Sequence, residues 1–461
     1  MEQWISEECA CVEFGDKRLN ERYTIVLENF YSAPEGSIPS SCGGWNETIG
    51  AYRFLHNPKV TPEKIMESHI KATKERMKDL NTLLLIQDTS SIDYTGSRSS
   101  DNLGHLEDSR HRGLFVHPTI AVTVDRINLG LIDFDIWTRD IETLGKKASR
   151  KQKPIEEKES YRWLKSYKAA NELAKQYPDK RIISIGDRES DIYESFEEAT
   201  QEDANAKLLV RAAQDRRLAM EQEETRLLWS ALEASEKLGE KEISIPATKN
   251  RPARNVRLQI KAKEVTLKPP YRKGKKLKDI KLWAVLAVEE NPPSEKDKIE
   301  WMLLTTLQIR SLQDALDVVE YYCIRWQIEI YFRTLKGGCQ IEELQLEDVE
   351  SLENAIAIYM VIAWRIQYLL MLGRQCPDLR ADIVFCEAEW KVMFVVKDKP
   401  IPNLAPSLNE MIIMIASIGG YLGRKHDGPP GVQTFWTGLM KLCDYATVYE
   451  KMTMKKDVYN C

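Results

Sequence analysis

No cysteine in this chain belongs to a C-x-x-C pair. The nine cysteines (Cys9, Cys11, Cys42, Cys323, Cys339, Cys376, Cys386, Cys443 and Cys461) are scattered, and the six histidines show no ligand spacing. That argues against a structural zinc site, and unpaired thiols point to a reducing cytoplasm. No apolar run is long enough to cross a bilayer: the longest, Ala355–Trp364, is followed directly by Arg365. The first residues, MEQWISEECACVEFGD, are acidic and lack the apolar core of a secretion signal. The expectation is a cytoplasmic protein with no membrane partner. Internal repeats and low-complexity tracts are absent as well. So is a net positive charge: 66 Lys and Arg stand against 71 Asp and Glu, a balance of −5. That balance counts against a simple polyanion binder, because neutralising phosphates drives such affinity.

The basic residues are clustered, however. Lys146–Lys153, Arg251–Arg257 and Lys268–Lys281 are rich in Lys and Arg, while acidic stretches such as Glu221–Glu224 offset them globally without cancelling them locally. The 461 residues suffice for two to four domains with a large core, and 43% hydrophobic with 30% charged residues is ordinary for a globular chain.

The segment Tyr322–Lys336, YCIRWQIEIYFRTLK, carries Tyr322, Arg325, Glu329 and Lys336. In a helix, positions seven apart are nearly aligned, so Tyr322, Glu329 and Lys336 form one row, with Arg325 beside it. Ile324, Ile328, Tyr331 and Leu335 make the apolar side. A carboxylate flanked by cations and a phenol suits a bound metal and a polyanion; alone, it is equally a solvated face with an Arg–Glu pair. Two stretches upstream shift the balance. Leu83–Ile86 reads as a buried strand running into Asp88, and Ile182–Ile185 as another running into Gly186-Asp187. Carboxyl ends of strands in an α/β sheet are where ligands bind. Asp88, Asp187 and Glu329 together offer three oxygen donors for hard divalent cations such as Mg²⁺.

These three stretches, with GDKRL at 15–19, GAYRFLHNP at 50–58, EKES at 157–160, NRPAR at 250–254, NPP at 291–293 and WMLLT at 301–305, occur in one order along nearly the whole chain. In that order the chain resembles the bacterial cut-and-paste DDE transposases of the transposon-five type, within the insertion-sequence-four group. The resemblance implies an α/β fold: a ribonuclease H-like catalytic core, a mixed sheet flanked by helices, with a β-rich insertion and helical N- and C-terminal domains. It implies residues 1–65 as a DNA-end-binding domain, 66–372 as the core interrupted at about 212–305, and 373–461 as a dimerisation region.

The same resemblance implies catalytic and metal-binding roles for Asp88, Asp187 and Glu329, with two Mg²⁺ per site and Mn²⁺ able to substitute. Tyr322, Arg325, Lys336, Arg211, Trp301 and Trp326 become DNA contacts at the core, and Lys17, Arg18, Arg22 and Arg53 contacts at the N-terminal region. Its partners are duplex DNA, both transposon ends and target, and a second copy of the chain in a synaptic complex at the bacterial nucleoid. The implied reaction is a nick, attack of the freed 3′-OH on the opposite strand to form a hairpin, hairpin opening, and strand transfer. Phe332 departs from the pattern by standing where a polar, DNA-facing residue is usual. A ribonuclease H-fold nuclease without strand transfer and a silent DNA-binding regulator are the rival readings. Glycoside hydrolysis by paired carboxylates is a weak fourth, since no sugar-binding aromatic pattern accompanies them.

Residue patterning gives the remaining expectations. Gly50 breaks the chain ahead of Ala51-Tyr52-Arg53-Phe54. Strands cover Leu114–Val124 and Leu129–Trp137, one helix runs from Leu312 to Lys336, and a long apolar helix starts from an N-cap at Ser351. Leu408, Met411, Ile412 and Ile415 make a stripe of the kind that packs in a core.

Overall fold

The computed structural model describes residues 3–97, 102–108, 110–140, 154–219, 226–245, 253–272, 276–294 and 297–459. The basic run Lys146–Lys153 and the acidic run Glu221–Glu224 lie outside the described residues. The strands are β1 (Thr82–Gln87), β2 (Ser90–Asp93), β3 (Gly104–His105), β4 (Arg112–Val116), β5 (Thr119–Val122), β6 (Asn128–Asp133), β7 (Ile136–Trp137), β8 (Arg181–Gly186), β9 (Lys207–Arg211), β10 (Lys237–Ile245), β11 (Arg254–Leu267), β12 (Ile280–Glu289) and β13 (Glu300–Thr305).

Nine of them form one sheet in the order β10-β11-β12-β13-β9-β8-β1-β5-β6. Its β6-β5-β1 side is antiparallel, whereas β1, β8 and β9 run parallel. That is the ribonuclease H-like order, with the helix Tyr161–Gln176 crossing from β6 to β8. The β-rich segment is not a separate layer. β13 pairs antiparallel with β9, Leu303 opposite Arg211, so its four strands extend the core sheet.

Several expectations need correction. The strands foreseen at Leu114–Val124 and Leu129–Trp137 each divide in two, at His117-Pro118 and Phe134-Asp135. Proline has no N–H for the ladder. Beyond these breaks β4 leaves the large sheet and pairs with β2, β3 and β7. Gly50 is no break: the helix Trp45–Leu55 runs through it. Its lack of a side chain serves close approach, since a Cβ there would stand 2.6 Å from Arg22 Nη1. The long helix is Val349–Gln375, capped by Asp348, whose carboxylate accepts from Ser351 N at 2.7 Å. It is apolar enough and long enough to cross a membrane, yet 94% of its most apolar window is buried inside the protein, which makes it the core helix. Leu408, Met411, Ile412 and Ile415 are buried on the helix Leu408–Ile418.

A buried polar clasp joins the first helix to this core. Glu8 accepts from His69 Nδ1 and from Arg76 Nη1, each at 2.6 Å. His69 Nε2 accepts from Leu131 N at 3.0 Å, so the imidazole is neutral with its proton on Nδ1. Arg76 also donates to Leu129 O at 2.6 Å and lies 4.1 Å above the Trp364 ring. Burial pushes the Glu8 carboxyl up, but His69 and Arg76 outweigh it and hold it below its ordinary value. Burial also holds His69 below its ordinary 6.5, against the pull of Glu8.

Removing one partner from such a buried set costs about 3–5 kcal/mol. Glu8→Ala should therefore lower stability by that order in denaturant unfolding. Both groups bind protons more readily in the unfolded chain, so the clasp's contribution is complete above the ordinary histidine range and declines as pH falls through it. The variant should flatten that decline. An unchanged unfolding midpoint and pH profile would show the clasp to be energetically idle.

Candidate active site

Strand alternation selects the face on which the candidate residues meet. β1 sends Leu83 and Leu85 into one core layer and Leu84 and Ile86 into the other; β8 likewise sends Ile182 one way and Ile183 and Ile185 the other. At period two, Asp88 and Asp187 continue the rows of Leu84–Ile86 and Ile183–Ile185. Arg211 follows Leu209 on that same face, and Trp301 precedes Leu303 there. The helices Leu312–Ile324 and Gln327–Arg333 cover this face through Ile324, Ile328 and Tyr331.

The expected single helix from Leu312 to Lys336 is thus divided. At Arg325-Trp326 the chain tightens, with Arg325 N bonding Tyr322 O and Glu329 N bonding Trp326 O, both at 3.1 Å. The last turn, Thr334–Gly338, widens into a π-turn. Gly337 and Gly338 make room there for Trp436: a Cβ on Gly338 would lie 3.1 Å from its indole ring.

Arg325 is the hub. Its Nη1 donates to Asp88 Oδ2 at 2.9 Å and its Nη2 to Glu329 Oε1 at 3.2 Å. Thr89 N donates to Asp88 Oδ1 at 2.8 Å. Burial, then the charge of Asp187, pushes the Asp88 carboxyl up to about 7, although Arg325 opposes both. Asp187 itself caps the short turn Arg188–Ser190, accepting from Glu189 N at 2.7 Å. Tyr322 is buried, with Trp301 edge-on at 5.5 Å and the Arg325 guanidinium 5.9 Å from its ring.

Asp88, Arg325, Glu329, Tyr322 and Trp301 therefore come together, with Asp187 close enough to act on Asp88. Arg211 lies on the same edge, its Nη2 donating to Glu300 O at 3.1 Å. Trp326 projects outward, 53% exposed. Lys336 is paired at 3.4 Å with Glu342, which also accepts from Asp93 N at 3.1 Å. The sequence reading gave Lys336 no such partner. Phe332 is buried in the core, which accounts for an apolar residue at that position. Lys17, Arg18, Arg22 and Arg53 stand apart, on the helices Lys17–Ser32 and Trp45–Leu55. The Lys17 and Arg18 side chains are each 90% exposed and, among the described residues, pair within their own helix start, with Glu21 and Asp16. Arg53 is exposed, while Arg22 packs over Gly50. His117 was not among the sequence candidates, yet it lies directly behind Asp88. Its one signal was a lone histidine before a proline inside an apolar strand.

The donor chemistry fits a hard cation, because Asp88, Asp187 and Glu329 offer only oxygen. Among the described residues no three such side chains already stand as a ligand group, and Arg325 bridges Asp88 and Glu329.

Three family models match the chain: "Transposase DNA-binding" over residues 1–60, "Transposase DDE domain" over 165–365 and "Transposase Tn5 dimerisation domain" over 361–452. Asp187 and Glu329 fall inside the second; Asp88 falls outside all three. Among solved structures, one described as "Cryo-EM structure of piggyBac transposase synaptic complex with hairpin DNA" is similar at TM-score 0.38 and 9% identity, over 92% of this chain and 79% of that one. That likeness is too distant to bear on function.

The raised Asp88 carboxyl has a stability consequence. The unfolded chain ionises it near the ordinary 3.8, the folded chain only near 7. Between those values the folded form holds the extra proton, so stability falls as pH rises, and the full cost is present above about 7. With divalent metal chelated, Asp88→Asn should melt higher than the parent at pH 8 and no higher at pH 4. Equal melting at both pH values would mean that Asp88 is not strained by its surroundings.

Proposed function

Because this chain belongs to the Tn5-type DDE transposases, which makes it a DNA transposase that binds DNA and forms dimers, we propose that it excises its element by phosphoryl transfer at Asp88, Asp187 and Glu329. The observation carrying this is the convergence of two strand-end carboxylates and a helix carboxylate on one face, with Arg325 among them. DDE domains work with divalent metal ions. In our reading these are two Mg²⁺, with Mn²⁺ able to replace them, held by the three carboxylates and stabilising the attacking and leaving oxygens.

The chain's own residues divide the remaining work. Arg325 neutralises Asp88 and Glu329 in the free protein and turns its planar fork to a phosphate when DNA and metal arrive. Lys336, released from Glu342, meets a second phosphate as a point charge. Tyr322 donates its phenol to the DNA backbone, and Arg211 steadies the strand beside Asp187. Residues 1–65 take the element's end through Lys17, Arg18, Arg22 and Arg53, residues 66–372 carry the chemistry, and 373–461 pair two copies. The reaction proceeds by a nick, a hairpin formed by the freed 3′-OH, hairpin opening and joining to target DNA.

Trp301 and Trp326 serve the hairpin step. For a 3′-OH to attack the opposite strand the duplex must bend sharply, and a base leaves the stack. An indole can receive it, since stacking contributes about 1–3 kcal/mol per base. Trp301 already lies against Tyr322 at this face, and Trp326 is the exposed neighbour of Arg325.

Two experiments test the reading on a labelled end substrate with Mg²⁺. Asp88→Ala, Asp187→Ala and Glu329→Ala should each reduce cleavage by more than about a hundredfold, beyond what losing a residue that merely orients a ligand costs, with end binding retained. Any one variant that still cleaves leaves the triad. Trp301→Ala should spare the first nick and deplete the hairpin on a denaturing gel at unchanged melting temperature. If nick and hairpin fall together, the indole is only packing.

A further inference from the structure

The two chain neighbours of Asp88 are gripped by one imidazole. His117 Nδ1 lies 2.7 Å from Thr89 Oγ1, and its Nε2 lies 3.2 Å from Gln87 Oε1. Gln87 Nε2 donates to Ser184 Oγ at 3.0 Å, which turns the Gln87 oxygen toward the ring. The imidazole must therefore donate from Nε2 and accept the Thr89 hydroxyl proton at Nδ1, so one neutral tautomer satisfies every group. The ring is 1% exposed and is fixed by the edge of Trp163 at 4.7 Å between centroids. The His117 backbone is tied in turn to Asp135, by N-to-O bonds of 2.8 and 3.1 Å in the two directions.

Geometry gives this arrangement a purpose beyond packing. Gln87 and Thr89 point away from the face that Asp88 occupies, so the imidazole braces the backbone from behind at both of its neighbours. Ser184 sits on β8, three residues before Asp187, and extends the same chain of hydrogen bonds to the second aspartate's strand. Repulsion between Asp88 and Asp187 acts to spread these strand ends; the Gln87–Ser184 bond crosses the line between β1 and β8 along which they would part, and His117, from the β5 side of β1, holds Gln87 and Thr89 in place for it.

We infer that His117 is a positioning residue for the phosphoryl-transfer site, fixing the Asp88 backbone and its spacing from Asp187 through Thr89, Gln87 and Ser184. This rests on the proposed function, in which those aspartates hold divalent cations. Residues that orient ligands from behind typically alter metal affinity or activity by about 10–100-fold when removed.

The test uses the full chain on end DNA. Thr89→Val removes the hydroxyl at constant shape, Thr89→Ser restores it, and His117→Gln breaks the ring's double contact. Cleavage is followed against Mg²⁺ concentration, and Mn²⁺ binding to the protein–DNA complex by electron paramagnetic resonance. Thr89→Val should need about tenfold more Mg²⁺ for half-maximal cleavage and bind Mn²⁺ correspondingly less tightly, while remaining folded and keeping parental DNA binding. Thr89→Ser should recover the parental metal dependence, and His117→Gln should match Thr89→Val; should His117→Gln not fold, the Thr89 pair decides. Parental metal dependence in Thr89→Val, or equal defects in Thr89→Ser and Thr89→Val, overturns the inference and leaves the imidazole as packing. Asp88→Asn in the same assay separates the two claims: if it still cleaves with Mg²⁺, the assignment of Asp88 as a ligand has failed instead.

Discussion

A carboxylate buried beside other carboxylates resists ionising unless a cation stands with it. Asp88 is the buried one of such a set, raised by burial and by the charges of Asp187 and Glu329 beside it, and much of the surrounding construction answers it. Arg325 supplies the positive charge from a helix, reaching Asp88 and Glu329 with the two nitrogens of one fork. It does so from the tightened turn at Arg325-Trp326 that joins the two helices.

The β-rich extension gives that site its reach. Because β13 bonds directly to β9, and β9 to β8, Trp301 and Arg211 are indexed to Asp187 by backbone hydrogen bonds across three adjacent strands. Trp301, Arg211 and Asp187 are thereby held at fixed offsets by the backbone ladder of the sheet. The small sheet of β2, β4, β3 and β7 hangs from the same edge, and the break that creates it at His117-Pro118 is also what brings an imidazole behind Asp88.

Much of this was legible in the residues. Leu83–Ile86 is apolar throughout and Ile182–Ile185 apolar but for Ser184 because both faces of the sheet are covered, and their abrupt ends at Asp88 and Asp187 marked the carboxyl edge. The i,i+4 spacing of Arg325 and Glu329 gave their contact correctly. Less could be read where one residue serves two masters. Gly50 looks like a break because glycine weakens helices, yet it lets an arginine lie across the helix. His117 looks like a core residue because it is one, and its contacts to Gln87 and Thr89 depend on a strand ending that no local pattern declares. Ser351 reads as the cap from its type and place, yet it lies inside the first turn and its N–H donates to the carboxylate of Asp348, the residue that caps the helix. The partner of Lys336, Glu342, follows a π-turn that propensity does not foresee.

The pair of glycines in that turn has a mechanical meaning. With no Cβ on Gly337 or Gly338, the indole of Trp436 rests directly on the backbone that follows Lys336. Trp436 belongs to the stretch matched to dimerisation, Lys336 to the stretch matched to the DDE domain. The two stretches meet there without a compliant side chain between them, so a displacement of the last long helix is transmitted as a displacement of the lysine's own main chain. The joint behaves as a rigid coupling rather than a spring.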